Sequence, residues 1–129
     1  SVTVQENQNL TSSTGADIDL FANGATTSFP IAWVAPTSVL NQDQTYGHFG
    51  LTSSDSVTSS STLPDEFGTA LFAGNFNTPR EVFYHSGPTD GTANGEGFAD
   101  VAYAIQIGNL QEAGSDYTNT LTYVATPTF

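Results

Sequence analysis

No stretch of this chain keeps a helical period, and that constrains its fold more than any motif does. Its best apolar segments are short, alternate with period two, and are separated by clusters of Gly, Pro, Asn and Asp. This is the pattern of strands and turns. In Val101-Ala102-Tyr103-Ala104-Ile105-Gln106-Ile107 one face carries Val101, Tyr103, Ile105 and Ile107, while the other is small or polar. The segment from Tyr117 to Val124 behaves alike, with Tyr117, Leu121 and Tyr123 inward and threonines outward. Both are expected near the centre of the fold. Further strands are expected over Val2 to Gln5, Ile18 to Ala22, Ser28 to Val34, Tyr46 to Thr52, Thr69 to Ala73 and Glu81 to His85. The set predicts an all-β chain, an Ig-like or jelly-roll β-sandwich of about eight short antiparallel strands, in one domain spanning residues 1–129. Pro30 places its strand at an edge or a bulge. Trp33 reads as a core anchor whose indole N–H needs an acceptor.

Composition supports this and closes several functional classes. Threonine and serine make up about a quarter of the chain and favour extended structure and turns over helix. Charged residues are 11% of the sequence, against roughly 25% in soluble globular proteins, so the surface is mostly uncharged polar. Lysine is absent, Arg80 is the one full side-chain cation, and 13 acidic residues give a formal net charge of −12. Such a surface repels phosphate, so neither nucleic acid nor an anionic membrane is an expected partner. Schiff-base chemistry and lysine isopeptide crosslinks are excluded outright. Cysteine and methionine are also absent, which removes disulfides, thiolate nucleophiles and Cys-based zinc sites.

The sequence opens at Ser1-Val2-Thr3-Val4 with no methionine, and the expectation is a secreted chain that has lost a leader peptide. No apolar run approaches the roughly 20 residues of a membrane-spanning helix, so no membrane insertion is expected of the mature form. The stretch from Ser53 to Asp65 is low in complexity and reads as an exposed loop or polar ribbon. Gly87 to Gly97 reads as a second long connection.

Candidate chemistry is sparse. His48 and His85 are the side chains that titrate near neutrality without perturbation, and no H-x-H spacing or G-x-S-x-G elbow accompanies them. Acidic groups at Asp17 and Asp19, at Asp65 and Glu66, and at Asp90, Glu96 and Asp100 read as solvated loops, and no enzyme is expected. One loop resembles a cation ligand set. Asp90, Thr92 and Asn94 occupy positions one, three and five of a loop with Gly95 at six and Glu96 next, the spacing of a calcium loop. The closing glutamate at position twelve is replaced by Val101. No cofactor is required, and calcium at Asp90, Thr92, Asn94 and Glu96 is the candidate ligand. Asn9-Leu10-Thr11 is an N-glycosylation sequon, making Asn9 a candidate acceptor.

The closing segment, from Glu112 through Ala113-Gly114, Tyr117 and Thr120-Leu121-Thr122-Tyr123 to Phe129, resembles the last strand of small secreted prokaryotic surface proteins. These include WxL-type and spore-coat-U-type β-sandwiches. A W-x-L signature itself is missing, since Val34 and Ala35 follow Trp33. The resemblance implies an extracellular or cell-surface structural domain, a subunit of a pilus-like filament.

The opening segment 1–10 suggests how identical subunits would join. Val2 and Val4 share one face, polar residues follow, and Leu10 closes the segment, the form of an exchangeable donor strand. Inserted into a neighbour's sheet it gives head-to-tail addition that propagates as a homopolymer. Paired within its own domain it is an ordinary first strand. Two functional expectations stand: a non-covalently assembled extracellular filament, or a monomeric cell-surface adhesion or glycan-binding module.

Overall fold

A computed structural model describes residues 1–21, 30–55, 67 and 70–127. Nine strands follow in order: β1 (Val2–Glu6), β2 (Leu10–Thr11), β3 (Asp17–Leu20), β4 (Ile31–Ala32), β5 (Gly47–Ser53), β6 (Leu71–Phe72), β7 (Arg80–Phe83), β8 (Val101–Ile107) and β9 (Leu121–Ala125). The one helical element among the described residues is a single 3₁₀ turn at Asp43–Thr45. The chain is all-β and sandwich-like. Each of the eight expected segments contains a strand, and β2 is an addition too short to show a period. Ser28, Phe29, Thr69 and the polar stretch from Ser56 to Glu66 lie outside the described residues, as does the acidic pair Asp65 and Glu66.

The strands form a three-stranded sheet in the order β7-β1-β9, a four-stranded sheet in the order β2-β3-β5-β8, and a two-stranded ribbon of β4 and β6. The two larger sheets face each other across a cluster that includes Val4, Ile18, Phe49, Leu51, Phe76 and Val82, all buried. Phe49 packs edge-on against Phe76 at 5.3 Å and stacks on Tyr103 at 5.7 Å between ring centroids. Ring pairs of this kind add about 0.5–1.5 kcal/mol beyond area burial. The β4/β6 ribbon meets the β3 edge of β5, where Ala73, just after β6, exchanges backbone hydrogen bonds with Leu51. There Trp33 stacks on Phe21 at 4.7 Å and meets Phe72 edge-on at 5.3 Å. A side chain at Gly50 would put its Cβ 2.9 Å from the Trp33 ring, so glycine is what lets the indole lie on the strand. The indole N–H donates to Gln106 Oε1 at 2.6 Å, the acceptor that the sequence required.

Two expectations are corrected. The strands are not all antiparallel, because β3 and β5 run parallel, joined by a connection long enough to cross over. Nor are β8 and β9 central: each is the outer strand of its sheet, and the central positions belong to β1, β3 and β5. Alternation reports which face of a strand is apolar, and it does not report how many neighbours the strand has. Consequently Ile105 and Ile107, expected in the core, are 57% and 56% exposed, and Tyr123 is 46% exposed.

Arg80 is also not a surface cation. It is buried on β7, its guanidinium 5.5 Å from the Phe67 ring centroid and donating to Asn75 Oδ1. The exterior therefore carries no lysine or arginine charge.

Candidate functional site

The segment singled out as a donor strand occupies the middle of the three-stranded sheet. β1 pairs antiparallel with β7 on one side and with β9 on the other, in the register Val2↔Ala125, Val4↔Tyr123 and Glu6↔Leu121. Its inward face is Val2, Val4 and Glu6, so the alternation that begins at the valines runs on to Glu6. Val4 is fully buried, worth about 1.5–3 kcal/mol relative to exposure. Val2 and Leu10 are half-buried and pack on the same core.

Glu6 departs from a simple apolar strand. It is 2% exposed and sits on the core face. Its backbone N–H donates to Phe76 O at 2.8 Å, and its Oε2 accepts from Asn119 Nδ2 at 3.0 Å. Its Oε1 has no partner among the described residues. Burial pushes the carboxyl up to about 7, only partly offset by the Asn119 hydrogen bond. The signal was in the sequence: Glu6 has the parity of Val2 and Val4.

From Glu6 the chain crosses to the other sheet through Asn7, Gln8 and Asn9. Asn7 N–H donates to Thr120 O at 3.1 Å, and Asn7 Oδ1 accepts from Thr120 N–H at 2.8 Å. Asn9 is fixed more firmly. Its Nδ2 donates to Asp17 Oδ2 and to Asp19 Oδ1, both at 2.8 Å. A sugar on this nitrogen would have to displace one of those bonds. The paired carboxylates of β3 are thus held by an amide, and Asp19 is raised above the usual carboxylate range, chiefly by burial and then by the charge of Asp17.

The acidic loop turns its oxygens in different directions. Asp90 Oδ1 accepts from Thr92 N–H at 3.1 Å and from Thr92 Oγ1 at 2.6 Å, which closes a local turn and holds the carboxyl below its usual range. Asn94 instead reaches across to Ser54, accepting from its hydroxyl at 2.7 Å. Glu96 joins Asp55, Tyr84 and His85 in lining an open pocket of about 410 Å³. Asn94 and Glu96 both line this pocket, while Asp90 and Thr92 are bonded to each other. Among the described residues, no group of three or more His, Asp or Glu side chains lies close enough to hold a metal ion.

Both histidines are tied to main chain. His48 is 5% exposed, its Nδ1 3.0 Å from Val34 O, with Phe21 and Trp33 around the ring. His85 Nδ1 lies 2.7 Å from Gly87 O. Asp55, 2% exposed, accepts the Tyr84 N–H at 2.9 Å and so anchors the chain just after β7. Among the described residues no helix is long and apolar enough to cross a membrane. Comparison of the chain with protein families, with curated proteins and with solved structures finds no match in any of the three.

Proposed function

We propose that the chain is an extracellular structural subunit that assembles non-covalently into a pilus-like filament, each subunit lending β1 to the sheet of the next. One observation carries the reading: β1, the segment with the form of a donor strand, is the central strand of a sheet. Withdrawn, it leaves a slot with two free edges, β7 and β9, floored by core side chains. The same strand from another copy fits that slot residue for residue, because every pairing made within the chain can be made between chains. The link Asn7 to Asn9 is the hinge about which β1 would leave. Since strand lending is head-to-tail, it does not close, and a fibre results. Without lysine or cysteine, backbone pairing and apolar burial are the means of durable assembly left to the side chains present. The sealed His48 and the backbone-bound His85 support a non-enzymatic role.

Negative-stain microscopy of the full chain and of a chain lacking residues 1–10 tests this. The full chain is expected to form fibres. The shortened chain is expected to form none, and to recover a folded spectrum by circular dichroism when a peptide of residues 1–10 is added. Fibres from the shortened chain would overturn the reading. The open polar pocket beside Tyr84, His85 and Glu96 favours the second reading, a monomeric adhesion or glycan-binding module. Competable binding of isolated monomer on a glycan array, with no fibres, would establish that one instead.

A further inference from the structure

We infer that β8 is a homotypic docking edge, pairing antiparallel with β8 of a second copy across a twofold axis centred on Ala104. The contact is lateral and separate from strand lending, since it uses the opposite sheet and leaves β1 in place.

The free side of β8 follows from the hydrogen bonds at its ends. Gly108 N–H donates to Tyr46 O, and Ser54 N–H donates to Asp100 O, in the same register that pairs β5 with β8. In an antiparallel ladder the pairing groups alternate, so even-numbered residues of β8 turn their N–H and C=O toward β5. The N–H and C=O of Val101, Tyr103, Ile105 and Ile107 therefore point outward. No described residue pairs with that row.

An outer strand normally carries something that blocks further pairing, such as a lysine, a proline, an inward charge or a bulge. β8 has none of these. Its seven residues are uncharged, contain no proline, and run in unbroken register with β5. On the core-type face Ile105 and Ile107 stand more than half exposed, which is the surface an added strand would cover.

The occupant is set by self-complementarity. A twofold axis at Ala104 pairs Tyr103 with Ile105 and Val101 with Ile107, keeping apolar residues beside apolar residues on one face. On the other face Ala102 meets Gln106. All seven residues are paired, and the outward groups at odd positions form the ladder. Charge decides between this and other surfaces. Two copies at −12 each repel wherever carboxylates meet, but here Asp100 falls opposite Gly108, and no acid faces an acid along the strand. Seven residues make a strip about 23 Å long, smaller than a standard interface, so the pairing is expected to be weak alone and to strengthen between copies already joined in arrays.

Because the chain has no cysteine, the test is clean. The full chain carrying Ala104→Cys is oxidised mildly at high concentration and read on a non-reducing gel. At the axis the two sulfurs belong to a non-hydrogen-bonded pair, about 4.5 Å between Cα atoms, and a covalent dimer is expected. Ala102→Cys places its two thiols roughly 13 Å apart along the strand and is expected to crosslink about tenfold more slowly. Adding Ile105→Lys to Ala104→Cys changes an exposed position and is expected to suppress the dimer, with circular dichroism confirming the fold. Equal crosslinking of Ala104→Cys and Ala102→Cys, or none by either, would overturn the inference. Fibre formation is scored separately on the same samples: fibres without the Ala104→Cys dimer leave strand lending standing, and the dimer without fibres leaves the lateral contact standing.

Discussion

Val4 and Ile105 both lie on the core-facing side of a strand, yet Val4 is completely buried and Ile105 is 57% exposed. Their strands differ in position. β1 has a partner on each edge and a sheet in front of it, whereas β8 has β5 on one edge and, among the described residues, no strand on the other. The core behind β1 is enclosed, while one edge of β8 has no strand beside it among the described residues. On the open side the hydroxyls of Tyr103 and Tyr123 hydrogen-bond to each other and tie the last strand of one sheet to the last strand of the other. The difference teaches that apolar alternation is a request for burial which the chain itself meets only in part, and the unmet part is where further copies would attach.

The sharpest way to break this comparison is to hollow the enclosed core. Phe76→Ala removes a fully buried ring that touches Phe49 and is expected to cost about 3–5 kcal/mol in urea denaturation, while Ile105→Ala is expected to cost less than about 1 kcal/mol. Comparable losses at the two positions would mean the open side is closed in solution. A smaller effect is expected at Gly50, where an alanine Cβ would crowd the Trp33 ring: Gly50→Ala is expected to cost about 1–3 kcal/mol and to shift the tryptophan emission. Smaller again is Gln106→Ala, which leaves the Trp33 indole N–H without its acceptor and is expected to cost about 1 kcal/mol in the same denaturation assay.

Glu6 sharpens the comparison by pH. Its carboxyl is raised from 4.5 to about 7 in the folded chain, so the folded state holds a proton that the unfolded chain releases at lower pH. The contribution is fully present below about 4.5, declines as pH rises toward 7, and is lost above it. Melting curves of Glu6→Gln are expected to lose this decline, with Tm above that of the native chain at pH 8 and close to it at pH 4. An unchanged pH profile would show that Glu6 is solvated.

Much of this fold was legible in the sequence because strands of four to seven residues with one apolar face announce themselves. Alternation delimits Val101–Ile107 to the residue, and a half-buried Trp33 calls for an acceptor. What alternation does not convey is neighbour count, so the apolar faces of β8 and β9 point to the centre of the fold although both are outer strands. In the loops, spacing does not report which local partners a side chain takes. Asp90, Thr92, Asn94 and Glu96 have the intervals of a calcium loop, but a short side chain next to its own backbone is easily taken up by it, as Asp90 is by Thr92. Asn9 has the sequon, yet its amide bridges Asp17 and Asp19, residues whose proximity depends on the β2/β3 pairing. The parallel pairing of β3 with β5 depends on a crossover that no local pattern encodes.

The central claim, that β1 passes between copies, is tested most directly by a double variant carrying Val2→Cys and Ala125→Cys in a chain that otherwise has no cysteine. These positions face each other across the β1/β9 pair. Oxidised under assembly conditions and run on a non-reducing denaturing gel, the variant is expected to give a ladder of covalent multimers, each disulfide joining one copy's β1 to the next copy's β9. A single band at monomer mass, with the disulfide closed within each chain, would contradict the account.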